Sequence, residues 1–483
     1  MKGERPSIIL ATSNGTGMGH LARQLAVGLA AIEEARITLF SLSVALPTVT
    51  TLGITGEYCP GPDRAWIPQS SWAHYLADRL RFLVEEVEAD VVVFDGVAPY
   101  RGITLARDRV PDTAFVWFRR GMWQPGVNDG QLWKSGLFDM VIEPGDIAGT
   151  ADRGPTAKRP DPVRVPPVGL LEVIDRLTRK EAAEQLGIDS HRPTVLLTLG
   201  TGRLGDVAGP GEVILDALAE QSDWQICVAT SAVATTSVPH GDDPRVIELR
   251  GVFPLVRYLG AFDAVVSAAG YNAVHEYIPA EMPTMLVPNR MTRTDDQVGR
   301  ARFLGAQGLA LVPDNETPEE LGKLVRLLFD GRRRVSLRDA CAALPLDIKT
   351  GGAAETADML VDLAGSHRPK PITLGTRMRR VQDNRKESLK RMLGPEGTNR
   401  VRCLLGRPSV KTSGRLRVVA EGAGANTFDP EVRHLIITSD PEVDMLLGDN
   451  PVEHVLLEAS DSYMSARRLL MDRHYEVISP SRD

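Results

Sequence analysis

Cysteine is scarce and scattered in this chain of 483 residues. The four cysteines, Cys59, Cys227, Cys341 and Cys403, form no C-x-x-C pair. Zinc sites and disulfide frameworks need paired or clustered cysteines, so the sequence indicates neither of them. We therefore expect a protein of the reducing cytosol. At this length it can bury two or three hydrophobic cores without covalent cross-links.

Long apolar runs are also missing. No uninterrupted apolar stretch reaches the roughly 18 residues of a membrane-spanning helix. The first letters, MKGERP, lead into a short strand-like run and not into the apolar region of a signal peptide. These absences predict a cytoplasmic protein that at most rests on the inner face of a membrane. No repeat of fixed period is present.

Short runs rich in Val, Ile and Leu alternate with helical patterns. They include SIILAT, RITLFSL, DVVVFDG and TAFVWF in the first part of the chain, and TVLLTLG, QICVAT, RVIELRG, DAVVSAAG, TMLVPN and GLALVP in the second. Continuously apolar strands separated by helices are typical of parallel sheets that helices cover on both faces. We therefore predict an α/β fold with two doubly wound, Rossmann-like domains that face a cleft.

The predicted domain boundaries follow from composition. The segment 152–169 contains five prolines and little apolar periodicity, which favours a connection between domains. We assign 1–165 to an N-terminal acceptor-binding domain and 166–365 to a C-terminal nucleotide-sugar-binding domain. The remaining residues, 366–483, contain the strand-like runs VRCLLG, LRVVAEG, HLIITS, HVLLEA and YEVISP and are predicted to form a small α/β extension.

A glycine-rich turn, NGTGMGH, separates the first predicted strand from the first predicted helix. Gly15, Gly17 and Gly19 permit a tight turn and the close approach of another molecule to the backbone. His20, at the end of the turn, would then face that molecule. A plain strand-to-helix connection is the competing interpretation, because glycine turns are common at such junctions.

A second glycine pattern, G-x-G-x-x-G at Gly200, Gly202 and Gly205, follows a predicted strand. Alone it is a weak sign of dinucleotide binding. A nicotinamide-binding unit also needs an acidic residue at the end of the next strand to hold the ribose. The next strand, QICVATS, ends without one. The pattern therefore argues against NAD and for another use of the same backbone amides.

The segment 267–311 supplies that other use. Glu276 lies on the second turn of a predicted helix, where its carboxylate could accept two ribose hydroxyls, although a solvated helix residue is the alternative. The amides of Gly270 and Tyr271 could face a diphosphate. Asp296 and Gln297, in the letters DDQ, offer acceptors and donors for sugar hydroxyls at another helix start.

This order of motifs resembles the GT-B glycosyltransferases, and within them glycosyltransferase family 28, the type that adds N-acetylglucosamine to a lipid-linked peptidoglycan precursor. The resemblance covers residues 7–364 as an order of motifs and is closest over 251–312. It implies that the opening loop faces the acceptor and the donor diphosphate, and that the helix at 351–364 returns toward the first domain. The letters GYNAVHEY depart from the pattern, because small residues are more usual after the glycine.

The resemblance also implies the donor-binding set. Val252 and Phe253 would present backbone groups to the base, and the GTG letters would lie near the phosphates. Tyr271 and Asn272 are expected to reshape the sugar pocket because they replace small residues. The predicted donor-binding residues are Gly15, Thr16, Gly17, Gly19, Gly200, Thr201, Gly202, Arg203, Val252, Phe253, Gly270, Tyr271, Asn272, Glu276, Asp296 and Gln297.

The chemistry of sugar transfer assigns two catalytic candidates. An alcohol attacks the anomeric carbon while a nucleoside diphosphate leaves, so a base must take the alcohol proton. His20 titrates near neutral pH and can do this. Asp95, at the end of DVVVFDG, could orient His20 or the acceptor, and a strand-end capping carboxylate is the competing interpretation. Arg203 could stabilise the leaving diphosphate, or be a plain surface arginine. No DxD-type strand end predicts a metal site.

Acceptor-binding residues are expected in the first domain. Five of the six tryptophans lie within 66–133, and the run FVWFRRGMWQPG carries two of them beside Arg119 and Arg120. Aromatic faces stack on sugars, and arginines bind anionic groups such as phosphate. Trp117 lies in mid-strand and is assigned to the core. The predicted acceptor-binding residues are therefore Trp123, Arg119 and Arg120.

The start of the extension is basic. Residues 377–417 contain 13 Lys or Arg against 3 Asp or Glu, a net charge of +10 in a chain of net charge −7. Such a segment could meet anionic lipid or a phosphate-bearing acceptor, and a solvated tether is the alternative. It matches no nucleic-acid-binding motif, so no nucleic-acid partner is expected.

Together these patterns predict a metal-independent glycosyltransferase that moves a sugar from a nucleotide-sugar donor, a UDP-sugar, to an acceptor hydroxyl with inversion. No cofactor other than that substrate is expected. A GT-B nucleotide-sugar epimerase or hydrolase would share the same glycine loops and Glu276. A non-catalytic nucleotide-binding subunit that recruits a partner through the basic segment is the alternative of another class.

Overall fold

The computed structural model describes residues 5–13, 18–61, 69–200, 208–220, 223–231, 233–234, 238–239, 243–367, 372–382, 384–385, 436–437, 454–457 and 476–478. Contacts divide the chain into two compact units. Unit 1 comprises Met1–Glu57, Val84–Pro99 and Pro111–Pro369, and unit 2 comprises Tyr58–Leu83, Tyr100–Val110 and Lys370–Asp483. Unit 2 thus combines the C-terminal extension with two short segments from the first third of the chain.

The first sheet has seven strands in the order β3-β2-β1-β4-β5-β6-β7. Its strands are β1 Ser7–Thr12, β2 Arg36–Ser41, β3 Thr55–Tyr58, β4 Val91–Asp95, β5 Ala114–Phe118, β6 Met140–Pro144 and β7 Val163–Val165. β1 pairs in parallel with both β2 and β4, and β4 pairs in parallel with β5. Every residue of β1, β4 and β5 is buried, as the continuous apolar runs predict for a sheet covered on both faces.

The second sheet has five strands in the order β10-β9-β8-β11-β12. They are β8 Thr194–Thr198, β9 Gln225–Thr230, β10 Val246–Arg250, β11 Ala264–Ser267 and β12 Thr284–Leu286, and all of their pairings are parallel. Residues of this sheet share a hydrophobic core with two helices, to which Leu218 and Val325 contribute fully buried side chains. The two Rossmann-like α/β domains predicted from the sequence are therefore confirmed.

Helices are interspersed with the strands of the two sheets, and the last five follow one another with no strand between them. The helices are α1 Gly19–Ala31, α2 Leu46–Thr50, α3 Gln69–Glu86, α4 Arg101–Arg109, α5 Arg179–Leu186, α6 Ala208–Ala219, α7 Tyr271–Tyr277, α8 Gln297–Ala306, α9 Pro318–Phe329, α10 Gly331–Ala342, α11 Leu346–Lys349 and α12 Gly352–Ser366. Their starts carry local signals. Thr178 and Glu181 form a reciprocal capping box at α5, and Thr317 caps α9 ahead of a proline at its first position.

The last of these helices returns to the first-sheet domain. α12 packs against α1, β4 and β7, which confirms the direction that the family resemblance implies for 351–364. Its start is fixed by Glu172, whose carboxylate accepts hydrogen bonds from the amides of Gly351, Ala353 and Ala354 at 2.8 to 3.2 Å. A carboxylate at a helix start satisfies amides that have no partner within the helix.

Two details differ from the sequence prediction. The proline-rich segment 152–169 is not a bare connection, because β7 lies inside it and pairs with β6 at the edge of the first sheet. Three residues bounded by prolines are too short to show a periodic pattern. The run GLALVP forms no strand of its own and contributes only an isolated pairing of Leu311 with Met285.

In unit 2, β13 Ile436–Ile437, β14 His454–Leu457 and β15 Glu476–Ile478 form a parallel sheet in that order. They coincide with three of the runs predicted to be strands. The other two runs, at 401–406 and 416–422, lie outside the described residues, and the domain boundaries stay predictions. Within the described part of the chain, no helix combines the length and the apolar character needed to span a bilayer.

Candidate active site

The candidate site is built where β1 and β4 end side by side. The parallel register sets Thr12, the last residue of β1, opposite Asp95, the last residue of β4. His20 is the second residue of α1, the helix that follows β1. Its Nδ1 atom lies 2.6 Å from Oδ1 of Asp95. The two predicted catalytic residues therefore form a histidine–carboxylate pair.

A buried arginine that the sequence analysis did not single out completes this pair. Arg23, one turn after His20, donates from Nε to Oδ2 of Asp95 at 3.1 Å and from a terminal nitrogen to Oδ1 at 2.9 Å. Its side chain is 2% exposed. Together with His20, it holds the pKa of Asp95 down to about 2 against the opposing effect of burial. Asp95 is therefore ionised at neutral pH.

An ionised Asp95 fixes the proton of His20. Asp95 and Arg23 both lie within 3 Å of Nδ1 of His20. The carboxylate can only accept a hydrogen bond from that atom, and the guanidinium can only donate one to it. The shorter contact, at 2.6 Å, is with the negatively charged acceptor. We therefore assign the proton to Nδ1, which leaves Nε2 as a free acceptor.

The imidazole is also kept neutral. Burial lowers the pKa of His20 below 6.5, and the charges of Arg23 and Arg120 lower it further, whereas Asp95 acts in the opposite direction. A neutral imidazole with a free Nε2 is the form that can accept a proton.

The start of α7, in the second-sheet domain, reaches this pair. Asn272 accepts a hydrogen bond from Arg23 at 3.3 Å, and its own amide donates to the carbonyl of Gly19 at 3.2 Å. The hydroxyl of Tyr271 donates to the carbonyl of Gly145 and accepts from the amide of Val168. The side chains of both residues thus lie at the contact between the two domains. Their predicted role in donor binding stays a prediction.

Glu276 lies further along α7. Its carboxyl is half-buried, and burial alone raises its pKa to about 8. No charged neighbour or hydrogen bond among the described residues adds to that shift. His275, beside it, is a structural residue, because Nδ1 contacts the carbonyl of Tyr271 at 2.7 Å and Nε2 accepts from the amide of Ile147 at 3.0 Å. Glu276 is thus a half-buried carboxyl with a raised pKa, and its role in ribose binding stays a prediction.

The last two residues of the DDQ run make different contacts. Asp296 caps α8 by accepting from the amide of Gly299 at 2.9 Å. Gln297 accepts from the amide of Asn289 at 3.0 Å, and its Nε2 lies 3.8 Å from the point where a Cβ on Gly270 would stand. Gln297 therefore borders the turn before α7, and its role in donor binding stays a prediction.

Asp295, which the sequence analysis passed over, joins the two domains. It pairs with Arg120 of the first-sheet domain at 3.1 Å and with Arg300 at 2.9 Å. Arg300 is fully buried and also pairs with Asp146, which follows β6, at 2.9 Å. The backbone of Trp123 pairs antiparallel with that of Asp295. A chain of ion pairs and one backbone pairing thus connect the two Rossmann-like domains beside the site.

Two predicted acceptor-binding residues are buried. Arg119 is 0% exposed and pairs with Glu143 at 3.0 Å and with Asp161 at 3.3 Å. Trp123 is 2% exposed, and its backbone pairs with that of Asp295. Neither side chain offers an exposed surface in this structure, and the acceptor-binding role of both residues stays a prediction. Arg120 lies near Tyr271, 5.7 Å from the ring centroid.

Among the remaining donor-binding candidates, four lie beyond the carboxyl ends of second-sheet strands: Gly200, Val252, Phe253 and Gly270. Gly200 follows β8 with a φ of 103°, a conformation that favours glycine. Val252 and Phe253 follow β10 and are half-buried. Gly270 precedes α7 directly, and Gly19 begins α1. Gly15, Thr16, Gly17, Thr201, Gly202 and Arg203 lie outside the described residues. Across the described ranges, no group of three or more His, Cys, Asp or Glu side chains is arranged to hold a metal ion.

Two Rossmann-like domains whose strand ends meet around this pair define the GT-B fold. Solved structures share it. The chain matches Phytolacca americana UGT2, which was solved in complex with UDP-2fluoro-glucose and pterostilbene. The TM-score is 0.53 and the identity is 14%, over 76% of this chain and 100% of that one. It matches the spinosyn forosaminyltransferase SpnP at a TM-score of 0.53 and 15% identity, over 74% of this chain and 99% of that one. No protein-family model matches the chain.

Two curated proteins match by sequence, and both are named UDP-N-acetylglucosamine--N-acetylmuramyl-(pentapeptide) pyrophosphoryl-undecaprenol N-acetylglucosamine transferase. The protein of Bacillus licheniformis is 26% identical over 132 residues, which are 26% of this chain and 36% of that protein. The protein of Clavibacter sepedonicus is 26% identical over 204 residues, 42% of this chain and 54% of that protein. The match therefore spans between about a third and about half of these relatives. It confirms the resemblance to glycosyltransferase family 28.

Proposed function

We propose that the protein is a glycosyltransferase that transfers a sugar from a nucleotide-sugar donor to an acceptor hydroxyl. The observation that carries the proposal is the contact of Nδ1 of His20 with Asp95 at 2.6 Å, beside the start of α7. A base at the end of the first sheet and a nucleotide-binding helix from the second sheet are the two parts that such a transfer needs. The names of the curated relatives support a UDP-sugar as the donor.

The donor occupies the second-sheet domain in this proposal. Glu276 accepts the two ribose hydroxyls, and the backbone around Val252 and Phe253 contacts the base. Gln297 binds sugar hydroxyls next to Gly270. Half-burial of Glu276 strengthens its hydrogen bonds to hydroxyls, since water competes less for the carboxylate.

The reaction proceeds by direct displacement with inversion. The acceptor oxygen attacks the anomeric carbon as its proton passes to Nε2 of His20. The bond from the anomeric carbon to the diphosphate oxygen breaks, and its electron pair leaves with the nucleoside diphosphate. Asp95 stabilises the imidazolium that forms, through its 2.6 Å contact with Nδ1. Cationic side chains stabilise the leaving diphosphate, so the proposal needs no metal ion and no cofactor besides the donor.

A panel of labelled nucleotide sugars tests this function. We expect diphosphate release that depends on an added acceptor hydroxyl and labelled sugar on that acceptor. Release without an acceptor, or a changed sugar configuration in the donor, would instead identify the hydrolase or epimerase. Binding of UDP without any turnover across the panel would identify the non-catalytic subunit.

The donor site is tested separately by binding. Glu276→Ala should weaken UDP binding by about 1 to 3 kcal/mol, the cost of leaving charge-assisted hydrogen bonds unmade. Glu319→Ala, at an exposed glutamate in the first turn of α9, is the matched control and should bind as the original protein does. Equal affinities in calorimetry for both variants and the original protein would remove Glu276 from the site.

We also propose that the acceptor is lipid-linked or phosphate-bearing, and that the protein contacts the inner face of the membrane through the start of the extension. In the helical residues 374–382, Leu374, Met378 and Val381 are 72%, 61% and 51% exposed and follow one another at the spacing of a single helix face. Arg380, on the other side of the helix, is anchored by a hydrogen bond to Asp108. An exposed apolar stripe in a basic segment is typical of helices that lie on anionic lipid.

Vesicle binding tests this contact. Replacing Leu374, Met378 and Val381 together by Gln should reduce sedimentation with vesicles that contain anionic lipid, while UDP affinity stays the same. Val335→Gln, at a residue of α10 that is 53% exposed, is the control. Undiminished binding of the triple variant would remove the stripe from the membrane contact.

A further inference from the structure

We infer that Arg23 is a positioning residue through which Asn272, in the second-sheet domain, sets the proton-accepting form of His20. The inference rests on the proposed role of His20 as the base. It extends that role by coupling the base to the domain that binds the donor.

The contacts of Arg23 carry the inference. All three guanidinium nitrogens have partners: Nε contacts Oδ2 of Asp95 at 3.1 Å, one terminal nitrogen contacts Oδ1 at 2.9 Å, and the other contacts Asn272 at 3.3 Å. Asn272 is tied in turn to the carbonyl of Gly19, the residue before His20. One planar group therefore joins the carboxylate, the helix that carries the base and the opposite domain.

The position of Arg23 decides between two forms of the imidazole. The terminal nitrogen that donates to Asp95 also lies 2.9 Å from Nδ1 of His20. If the guanidinium turned toward Nδ1, it would donate to that atom and favour the tautomer with its proton on Nε2. That tautomer cannot accept a proton from an alcohol. Because the guanidinium is rigid and planar, its bond to Asn272 helps to hold the orientation in which Asp95 receives the Nδ1 proton.

Three charged groups act on His20, and each comes from a different part of the first-sheet domain. Asp95 ends β4, Arg23 lies on α1, and Arg120 follows β5. Asn272 is the contribution of α7, and it is uncharged. Its removal therefore changes the orientation of Arg23 without changing the net charge around the imidazole. The tautomer of His20 then reports the coupling directly.

Nitrogen NMR of the full chain labelled with ¹⁵N-histidine tests the coupling without any substrate. The chain has nine histidines, and the spectrum of His20→Gln assigns the signal of His20. We expect the proton on Nδ1 in the original protein at pH 7. In Asn272→Ala, the ratio of the Nε2-protonated to the Nδ1-protonated form should rise by about tenfold, the effect of one lost hydrogen bond.

Thr294→Val is the matched control. It removes another side-chain hydrogen bond between the two domains, the 2.9 Å bond from Asn128, and touches neither Arg23 nor His20. The control should keep the original spectrum. An unchanged tautomer in Asn272→Ala, or an equal change in both variants, would overturn the coupling and leave the base assignment intact. A proton on Nε2 in the original protein would overturn the base assignment itself.

Discussion

Nδ1 of His20 contacts Oδ1 of Asp95 at 2.6 Å across a sequence separation of 75 residues. The contact arises because β1 and β4 are neighbours in a parallel sheet, so the start of the helix after β1 lies beside the last residue of β4. An ionised carboxylate on Nδ1 leaves Nε2 as the proton acceptor. This relationship is the basis of the proposed mechanism.

Removal of the Asp95 charge should slow the reaction. Asp95→Asn is expected to lower turnover by about 10² to 10⁴, because an amide neither fixes the Nδ1 proton nor stabilises the imidazolium. UDP affinity should not change, since the donor binds to the other domain. Steady-state rates and calorimetry measure both quantities.

Asp90→Asn is the control for this variant. Asp90 precedes β4 at its opposite end and accepts a hydrogen bond from the amide of Ser7. Similar turnover losses in the two variants would show that Asp95 acts on the fold and not on the base.

The pH dependence of kcat/KM should report the lowered pKa of His20. Burial first, and then the charges of Arg23 and Arg120, lower this pKa below 6.5. Because the neutral imidazole is the active form, the midpoint of the acidic limb should lie below pH 6.5. Arg120→Gln removes one of the charges and should move the acidic limb to higher pH. An acidic limb above pH 6.5 in the original protein would contradict this account.

Sequence analysis reached the fold and part of the site for identifiable reasons. Apolar runs such as that of β4 are continuous because the strands are buried on both faces, and His20 follows a glycine turn that is visible as letters. Arg23 was missed because nothing in LARQLAVGLAAI distinguishes an arginine aimed at Asp95 from one in solvent. Asp95 comes close to Arg23 only because β1 and β4 are neighbours in the sheet.

The surroundings of Trp123 and Arg119 could not be predicted for a similar reason. The backbone of Trp123 pairs with that of Asp295, in the other domain, and Arg119 forms an ion pair with Glu143 on β6. Such long-range contacts leave no local pattern. For the same reason, the ion pairs of Asp295 and Arg300 could not be predicted from the DDQ run.

Nucleotide binding should release a proton near pH 7. Burial raises the pKa of Glu276 to about 8, so the free protein holds the proton on this carboxyl at neutral pH. Accepting two ribose hydroxyls requires the ionised form, and binding therefore lowers the pKa. Calorimetry of UDP binding in two buffers of different ionisation enthalpy measures the proton count. Glu276→Gln should release none, and equal release by the two proteins would assign the proton to another group.

Buried His275 should make stability depend on pH. Burial lowers its pKa to about 4, so the unfolded chain takes up a proton below pH 6.5 and the folded protein does not. Stability is therefore full above pH 6.5 and falls as the pH drops toward 4. Between pH 7 and pH 4.5 the loss is roughly 2 to 3 kcal/mol.

Denaturant unfolding of His275→Gln at these two pH values measures the effect. The variant should be less stable at pH 7, where it lacks the bond from Ile147, and should lose less stability on acidification. His191→Gln, at an exposed histidine, should follow the original protein. A pH dependence that is identical in all three proteins would assign the loss to other groups.

The most direct test of the account is the turnover of His20 variants with a nucleotide sugar and acceptor that the original protein uses. His20→Ala should lower turnover by about 10² to 10⁴, the usual effect of a positioned base, with UDP affinity unchanged. His20→Gln can still form hydrogen bonds but cannot hold the proton, and it should be as slow as His20→Ala. Near-original turnover in a folded His20→Gln protein would contradict the account, because His20 would then orient the acceptor without accepting its proton.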